Sequence, residues 1–199
     1  MGKVGTRDVR LISTRNVRFT GKPGRGMGDV QGACRGVECW RTFWGEDTVK
    51  PEELVLTLID EAYEKKTWHG PNLRQAIRGV SAKQAAWRPG AERHNIWEET
   101  LHAAYWKYVA RRRIEGGKRG SFALKGSNFF ARPEKGKASE GAWRADKELL
   151  EREHRALRAS VEKVLKTPRG AKLLRHIYGV ALHDVYHAGQ IRLLRRLNE

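Results

Sequence analysis

After Pro51, hydrophobic residues recur every three or four positions along most of the chain, which predicts amphipathic helices. Pro51 and the two glutamates after it suit the first turn of a helix. Four apolar residues follow at helical spacing: Leu54, Leu58, Ile59 and Ala62. The stretch Trp68-His69-Gly70-Pro71 interrupts the pattern, as Gly-Pro does in general. The pattern then resumes through Leu73, Ala76, Ile77 and Val80.

The second helix has a clear start. Asn95 is a good N-cap, and Glu98 three residues later completes a capping box, which satisfies backbone donors from both sides. The apolar pattern predicts that this helix ends near Arg113. Its inward stripe comprises Leu101, His102, Tyr105, Trp106 and Val109. His102 is therefore expected to point at the core.

Two more helices close the pattern. The third runs from Trp143 to about Leu165, with the buried positions Leu149, Leu150, Leu157, Val161 and Val164. Thr167 and Pro168 suit the N-cap and first position of a fourth helix that reaches about Leu197. Its stripe comprises Leu173, His176, Ile177, Val180, His183, His187, Ile191 and Leu194. With no strand signal, the sequence predicts an all-α four-helix bundle over residues 51–199.

A long connection joins the second and third helices, from Glu115 to about Gly141. It is rich in Gly and Lys and contains Phe122, Phe129 and Phe130. Loops of this length are uncommon inside a compact domain, so it is either a crossover packed over the bundle or a functional lid. Aromatic residues interleaved with basic ones also suit stacking on single-stranded nucleic acid. We favour a crossover held down by its phenylalanines.

The net charge of the chain indicates which kinds of partner it favours. The 199 residues carry a formal net charge of +17 and a pI of about 10.3, which favours polyanions or anionic small molecules as partners. No run of apolar residues approaches the length of a membrane span, so no membrane association is expected. The two cysteines, Cys34 and Cys39, lie outside any C-x-x-C spacing and no secretory leader is evident. We expect reduced thiols in a cytoplasmic protein.

Much of the excess charge precedes the helices. Residues 1–25 hold seven basic residues against one acidic residue, with no sustained apolar period. Such a segment buries too little apolar surface to offset the entropy of ordering, and we expect residues 1–50 to be a disordered basic extension. Its first 25 residues are either a nucleic-acid-binding arm or an unstructured leader upstream of the true start, Met27 being one internal candidate. We favour the leader.

Three histidines suggest a metal site. His183 and His187 are four residues apart and project from one helix face, close enough to hold one metal ion. His102 lies on the inward stripe of another helix, and bundles build metal sites from side chains on facing helices. Three protein ligands leave a coordination position open to water or substrate, which is typical of a catalytic site.

These residues resemble a known family. The stretch His94-Asn95-Ile96-Trp97-Glu98-Glu99-Thr100-Leu101-His102 and the later His183-x-x-x-His187-x-Gly189-Gln190-Ile191 resemble the two signature segments of the DinB/YfiT-like superfamily. The resemblance runs from about Pro51 to Leu197 and includes Trp87-Arg88-Pro89. It implies an up-down-down-up bundle, frequently dimeric, with a histidine triad that binds a divalent metal such as zinc or nickel. Some relatives are S-transferases or isomerases that use mycothiol, bacillithiol or glutathione.

Carried onto this chain, the resemblance makes His102, His183 and His187 the metal ligands. The position of His94 is commonly aromatic in the family, so it is not a first choice. Glu98 either orients an imidazole or acts as a base, or it only completes the capping box, which we favour. Gln190 offers a backbone or ligand-orienting hydrogen bond, whereas Asp184 can equally be a solvated charge. His176, Trp68, His69 and Tyr105 are candidate pocket residues, and His154 is expected to be exposed.

The sequence therefore favours a divalent-metal-dependent enzyme acting on a small, anionic substrate. One form is a low-molecular-weight-thiol-dependent S-transferase, in which cations of the Lys118–Arg132 loop hold the cofactor. The alternatives are a metal-dependent hydrolase, which acts through activated water, and a basic nucleic-acid-binding protein with a structural metal. A homodimer is expected from the resemblance, and nucleic-acid binding is expected to be weak and non-specific.

Overall fold

The computed structural model of the chain describes residues 50–117, 120–134 and 138–199. The expected basic extension, residues 1–50, lies outside this part of the chain except for Lys50, and so do both cysteines. The expectations about the extension therefore stay predictions. The described residues form six α-helices and no strand, which confirms the all-α class. The helices are α1 (Pro51–Tyr63), α2 (Leu73–Ile77), α3 (Ala82–Ala86), α4 (Ile96–Glu115), α5 (Glu140–Leu165) and α6 (Pro168–Leu197).

The predicted capping box at the start of α4 is confirmed. The Asn95 side-chain oxygen accepts a hydrogen bond from the Glu98 amide at 2.8 Å, and the Glu98 carboxylate accepts one from the Asn95 amide at 3.4 Å. The helix ends two residues beyond the expected Arg113, because Gly116 supplies the left-handed conformation (φ 72°) that terminates a helix well. The α6 boundaries agree with the prediction from Thr167-Pro168.

The first helix buries only part of the predicted stripe. Ile59 and Ala62 are buried as predicted, but Leu54 is 52% exposed and Leu58 is 37% exposed. Val55 and Tyr63 are buried in addition. The apolar residues at positions 54–56, 58 and 59 allow two helical phases, so the sequence alone does not show which of them face the core.

The three other long helices, α1, α4 and α5, all pack against α6. In addition, α4 packs along α5. The short helices α2 and α3 lie between α1 and α4 in the chain. The Trp143 indole of α5 donates a hydrogen bond of 2.7 Å to the carbonyl of Val80, which lies between α2 and α3. The up-down-down-up order of the helices stays a prediction. No helix in the described part of the chain is both long and apolar enough to cross a membrane.

The apolar core is divided into two clusters. One gathers Leu101 and Tyr105 of α4 with Leu149, Leu150, Ala188 and Ile191, while the other gathers Ile114 with Leu157, Val161, Ile177 and Val180. In chain position, buried polar residues fall between the two clusters on all three helices: Lys107 on α4, His154 on α5, and Asp184 and His187 on α6. Polar groups buried in this way are stable only when they are paired.

A buried ion pair joins α4 to α6 in this polar layer. The Lys107 ammonium donates a hydrogen bond to the Asp184 carboxylate, and both side chains are buried. Burial lowers the pKa of Lys107 and raises the pKa of Asp184, because desolvation disfavours both charged forms. The alternative that Asp184 is a solvated charge is therefore wrong. Asp184 lies four residues after Val180 and three before His187, which places it on the buried face of α6.

His154 is buried as well, so the expectation that it is exposed is also wrong. It lies four residues after Leu150 and three before Leu157, which puts it on the inward stripe of α5 despite its charged neighbours. Its ring stacks on Tyr63 at 3.7 Å between centroids, and its Nδ1 lies 3.4 Å from Lys107 Nζ. Burial, followed by the charge of Lys107, lowers the pKa of His154 far below its ordinary value.

Breaking the ion pair should strongly destabilise the fold. We expect Lys107→Met to lower the free energy of unfolding by about 3–5 kcal/mol, because Asp184 would be left buried without a partner. Urea denaturation followed by circular dichroism measures the loss. The double variant Lys107→Met/Asp184→Asn buries no unpaired charge and should lose less than Lys107→Met alone. A double variant that is as unstable as the single one would show that charge burial is not the cause.

Candidate metal centre

Three imidazoles converge between α4 and α6. His183 Nε2 lies 3.2 Å from His102 Nε2 and 3.0 Å from His187 Nε2. Zinc binds imidazole nitrogen at about 2.0–2.1 Å, so tetrahedral ligands stand about 3.3 Å apart. The two measured distances are close to that value. His102 and His187 are buried and His183 is half-buried, so the group is largely removed from water.

Two of these histidines, His102 and His183, have the protonation state that a metal needs. Burial, together with the charge of His187, lowers the pKa of His102 to about 4. Burial, together with the charges of His187 and His102, lowers the pKa of His183 to about 3. Both rings are therefore neutral at pH 7, and a neutral imidazole offers a lone pair to a metal ion.

Two acceptors orient the rings. The Asn128 carbonyl oxygen lies 3.1 Å from His102 Nδ1, and a Glu99 carboxylate oxygen lies 2.6 Å from His187 Nδ1. Each acceptor favours a proton on Nδ1, which leaves the Nε2 lone pair directed at the shared centre. His183 Nδ1 has no hydrogen-bond partner among the described residues. Two of the three rings thus have a fixed orientation.

Sequence reasoning missed both acceptors. Glu99 precedes His102 by three residues, so the helical spacing that drew attention to Glu98 could have identified it. Asn128 acts through its backbone carbonyl from a loop, where side-chain patterns carry no signal. Its φ of 68° is a left-handed conformation that Asn tolerates better than most residues.

The connection between α4 and α5 packs over the site. The Phe129 ring lies between His94 and His102, with centroid distances of 3.7 and 4.0 Å. The Trp106 indole donates a hydrogen bond to the Asn128 side-chain oxygen at 3.1 Å. Trp106 is 39% exposed, so it does not belong to the inward stripe, and this bond gives its polar end a partner at the surface. These contacts agree with a packed crossover.

Glu98 is occupied by structural contacts. Its carboxylate accepts hydrogen bonds from the Arg88 guanidinium and from the Arg132 amide, and it lies 3.2 Å from His94 Nδ1. Burial alone would raise the pKa of Glu98, but these hydrogen bonds bring it below the ordinary value. The contacts favour the capping alternative over a role as a base.

Among the predicted pocket residues, His176 and Tyr105 line cavities near the triad. His176 borders a cavity of about 250 Å³ that also contacts His183 and Trp106. Tyr105 is buried and lines a larger cavity of about 860 Å³ beneath the crossover, which shares Trp106 with the smaller one. The smaller cavity therefore adjoins one histidine of the triad, His183.

The other predicted pocket residues lie elsewhere. Trp68 is 99% exposed, and His69 borders a groove with Val185 and Arg192 that contains none of the three histidines. The Gln190 side-chain nitrogen donates a hydrogen bond of 3.1 Å to the Tyr186 hydroxyl rather than to a triad ring. The structure does not bring these residues to the site.

A second group of possible ligands is less suitable for a metal ion. Asp60, Glu64 and His154 offer ligand atoms close together. However, Asp60 accepts hydrogen bonds from Arg158 at 2.7 and 3.2 Å and pairs with Lys65 at 2.8 Å. Cations already neutralise this carboxylate and would repel a metal ion.

Comparison with known proteins agrees with the triad and the helical fold. Residues 67–191 match the family model described as the DinB superfamily. The comparisons with curated proteins and with solved structures gave no significant match. The matched segment contains all three histidines, both acceptors and the crossover. Because it spans more than half of the 199-residue sequence, the chain belongs to the DinB superfamily.

Proposed function

We propose that this chain is a metal-dependent enzyme in which His102, His183 and His187 hold one divalent ion, zinc or nickel. The observation that carries the proposal is the convergence of three imidazole Nε2 atoms, two of them on rings oriented through Nδ1. Three ligands leave at least one coordination position for a small molecule. A structural ion is usually enclosed by four protein ligands, which favours a catalytic role here.

A divalent ion held by the triad supplies Lewis acidity, which lowers the pKa of a water or thiol bound to it. Glu99 and the Asn128 carbonyl keep two imidazoles in place. Phe129 covers one face of His102, and this contact excludes water from that side. The cavity beside His183 is walled by Trp106, Val109 and Val180, so it suits a ligand with carbon atoms better than water alone.

We favour a low-molecular-weight thiol as the co-substrate, and the reaction would transfer its sulfur to an electrophilic carbon of a second molecule. The thiol proton would leave, and the new carbon–sulfur bond would replace the bond to a leaving group. Hydrolysis by a bound water is the competing reaction at the same site. A homodimer and a cytoplasmic location are further proposals, which rest on the family resemblance and on the sequence.

The nucleic-acid hypothesis rested partly on the aromatic residues of the crossover, and these residues pack inward. Phe130 is buried, and Phe122 and Phe129 are half-buried. Phe122 and Phe130 contact Tyr105, and Phe129 stacks on His102. Rings engaged in this way are not available for stacking on bases.

Replacing any triad histidine should abolish tight metal binding. We expect about one divalent ion per chain in the wild type, and a severe loss in His102→Ala, His183→Ala and His187→Ala, because two ligands compete poorly with water. Elemental analysis of protein purified without a His tag measures the metal content. His176→Ala, which removes a histidine from the adjoining cavity only, is the matched control and should retain the ion. Equal metal content in all variants would contradict the site.

Glu99 should matter for affinity rather than for stoichiometry. We expect Glu99→Gln to weaken zinc binding by about 10–100-fold, since the amide is a poorer acceptor for the His187 Nδ1 proton. Competition with a chromophoric chelator measures the affinity. Glu92→Gln, at an exposed position before α4, removes the same charge and should leave the affinity unchanged. The role of Glu99 is refuted if both variants bind zinc equally well.

The choice between thiol transfer and hydrolysis is decided by turnover. We expect the zinc- or nickel-loaded protein to consume an electrophile faster when a low-molecular-weight thiol is present, and to lose this activity on chelation and regain it on adding metal back. Assays should run several thiols against a thiol-free reaction. Metal-dependent turnover without any thiol would favour the hydrolase instead.

A further inference from the structure

The cavity beside His183 has an unusual distribution of charge. Its wall near the triad consists of His183 and Trp106, while Arg113 of α4 and Arg175 of α6 line it as well. Arg175 precedes His183 by eight residues, which corresponds to about 12 Å along the helix axis. Because Arg113, Arg175 and His183 all line this cavity, a ligand that fills it can contact both guanidinium groups and one ring of the triad.

Arg113 differs from the two arginines that precede it on α4. Arg111 pairs with Glu115 and Glu153, and Arg112 pairs with Glu115. Within the described ranges, Arg113 and Arg175 have no acidic partner, and no acidic residue lines the cavity. Both side chains are exposed at the mouth of this cavity, and an anion bound between them would accept charge-assisted hydrogen bonds from both guanidinium groups.

We propose that Arg113 and Arg175 form an anion-binding subsite and that the ligand of the metal centre is an organic molecule with a carboxylate or phosphate group. The volume of about 250 Å³ accommodates such a group with several carbon atoms. Val109 and Val180 provide apolar contacts for those carbons. The link to the triad rests on the proposed metal function, whereas the anion subsite itself does not require a bound metal.

This assignment differs from the expectation that cations of the Lys118–Arg132 loop hold the anionic groups of the cofactor. Arg132 donates a hydrogen bond to Asp146 at 2.8 Å and pairs with Glu134 at 2.9 Å, so it is already neutralised. Lys125 lines the larger cavity, and Lys118 lies outside the described residues. The cations that adjoin His183 instead come from α4 and α6.

The first experiment tests the subsite without metal. Chelator-treated protein is titrated with inorganic phosphate in a calorimeter at constant ionic strength. We expect Arg113→Gln/Arg175→Gln to bind phosphate at least about tenfold more weakly than the wild type, because two charge-assisted hydrogen bonds are lost. Arg144→Gln/Arg152→Gln is the matched control. It removes the same charge from exposed positions on α5 and should change the affinity less than about twofold.

The second experiment tests the link to the triad with cobalt-loaded protein. Thiols of equal length, 6-mercaptohexanoate and 6-mercapto-1-hexanol, are titrated while the sulfur-to-cobalt charge-transfer absorption is followed. We expect the wild type and the α5 control to bind the carboxylate about tenfold more tightly than the alcohol. Arg113→Gln/Arg175→Gln should lose this preference and keep the affinity for the alcohol. Equal affinity of the wild type for the two thiols would overturn the link.

The outcomes separate this inference from the proposed metal function. If cobalt does not bind but the phosphate result is as expected, the subsite is supported and the metal function fails. If cobalt binds and the two double variants bind phosphate equally well, the subsite is refuted and the metal centre stands. If Arg113→Gln/Arg175→Gln weakens binding of a single-stranded oligonucleotide while phosphate affinity is unchanged, the arginines belong to a nucleic-acid surface and the proposal is wrong.

Discussion

The geometry of the histidine triad depends on the buried ion pair between Lys107 and Asp184. Lys107 lies five residues after His102 on α4, and Asp184 directly follows His183 on α6. A slide or rotation of one helix against the other would therefore separate the charges and the imidazoles together. Apolar side chains tolerate small shifts with little loss, but a desolvated ion pair does not. The polar layer thus fixes a register that the two apolar clusters alone would leave loose.

The helices and the clustered histidines were predictable because they follow helical spacing. The Asn95–Glu98 capping box, the Thr167-Pro168 start and the inward positions of His102 and His187 all depend on residues within one or two turns of each other. The errors have a physical reason. Charged neighbours hid the inward position of His154, and Asp184 is buried only because Lys107, 77 residues earlier, reaches it. A partner so distant in sequence leaves no local pattern.

The two sides of the triad have different characters. On one side the crossover encloses His102 with the Phe129 ring and the Asn128 carbonyl. On the other, His183 borders a cavity with two unpaired arginines among the described residues. In the proposed metal site, the enclosed side would hold two imidazoles in place, and the open side would admit an anionic molecule. The net charge of +17 that first suggested polyanions as partners is thus also compatible with a small anion at one cavity.

Asn128 acts on His102 through a main-chain oxygen, and this has an evolutionary consequence. Selection for that contact would act on the ability of the residue to adopt a positive φ, so Asn and Gly should exchange there while β-branched residues are excluded. The Asn128 side chain serves Trp106 separately. Relatives that lack a tryptophan at that position should then be free to carry glycine, and a search for invariant polar side chains would overlook one of the supports of the triad.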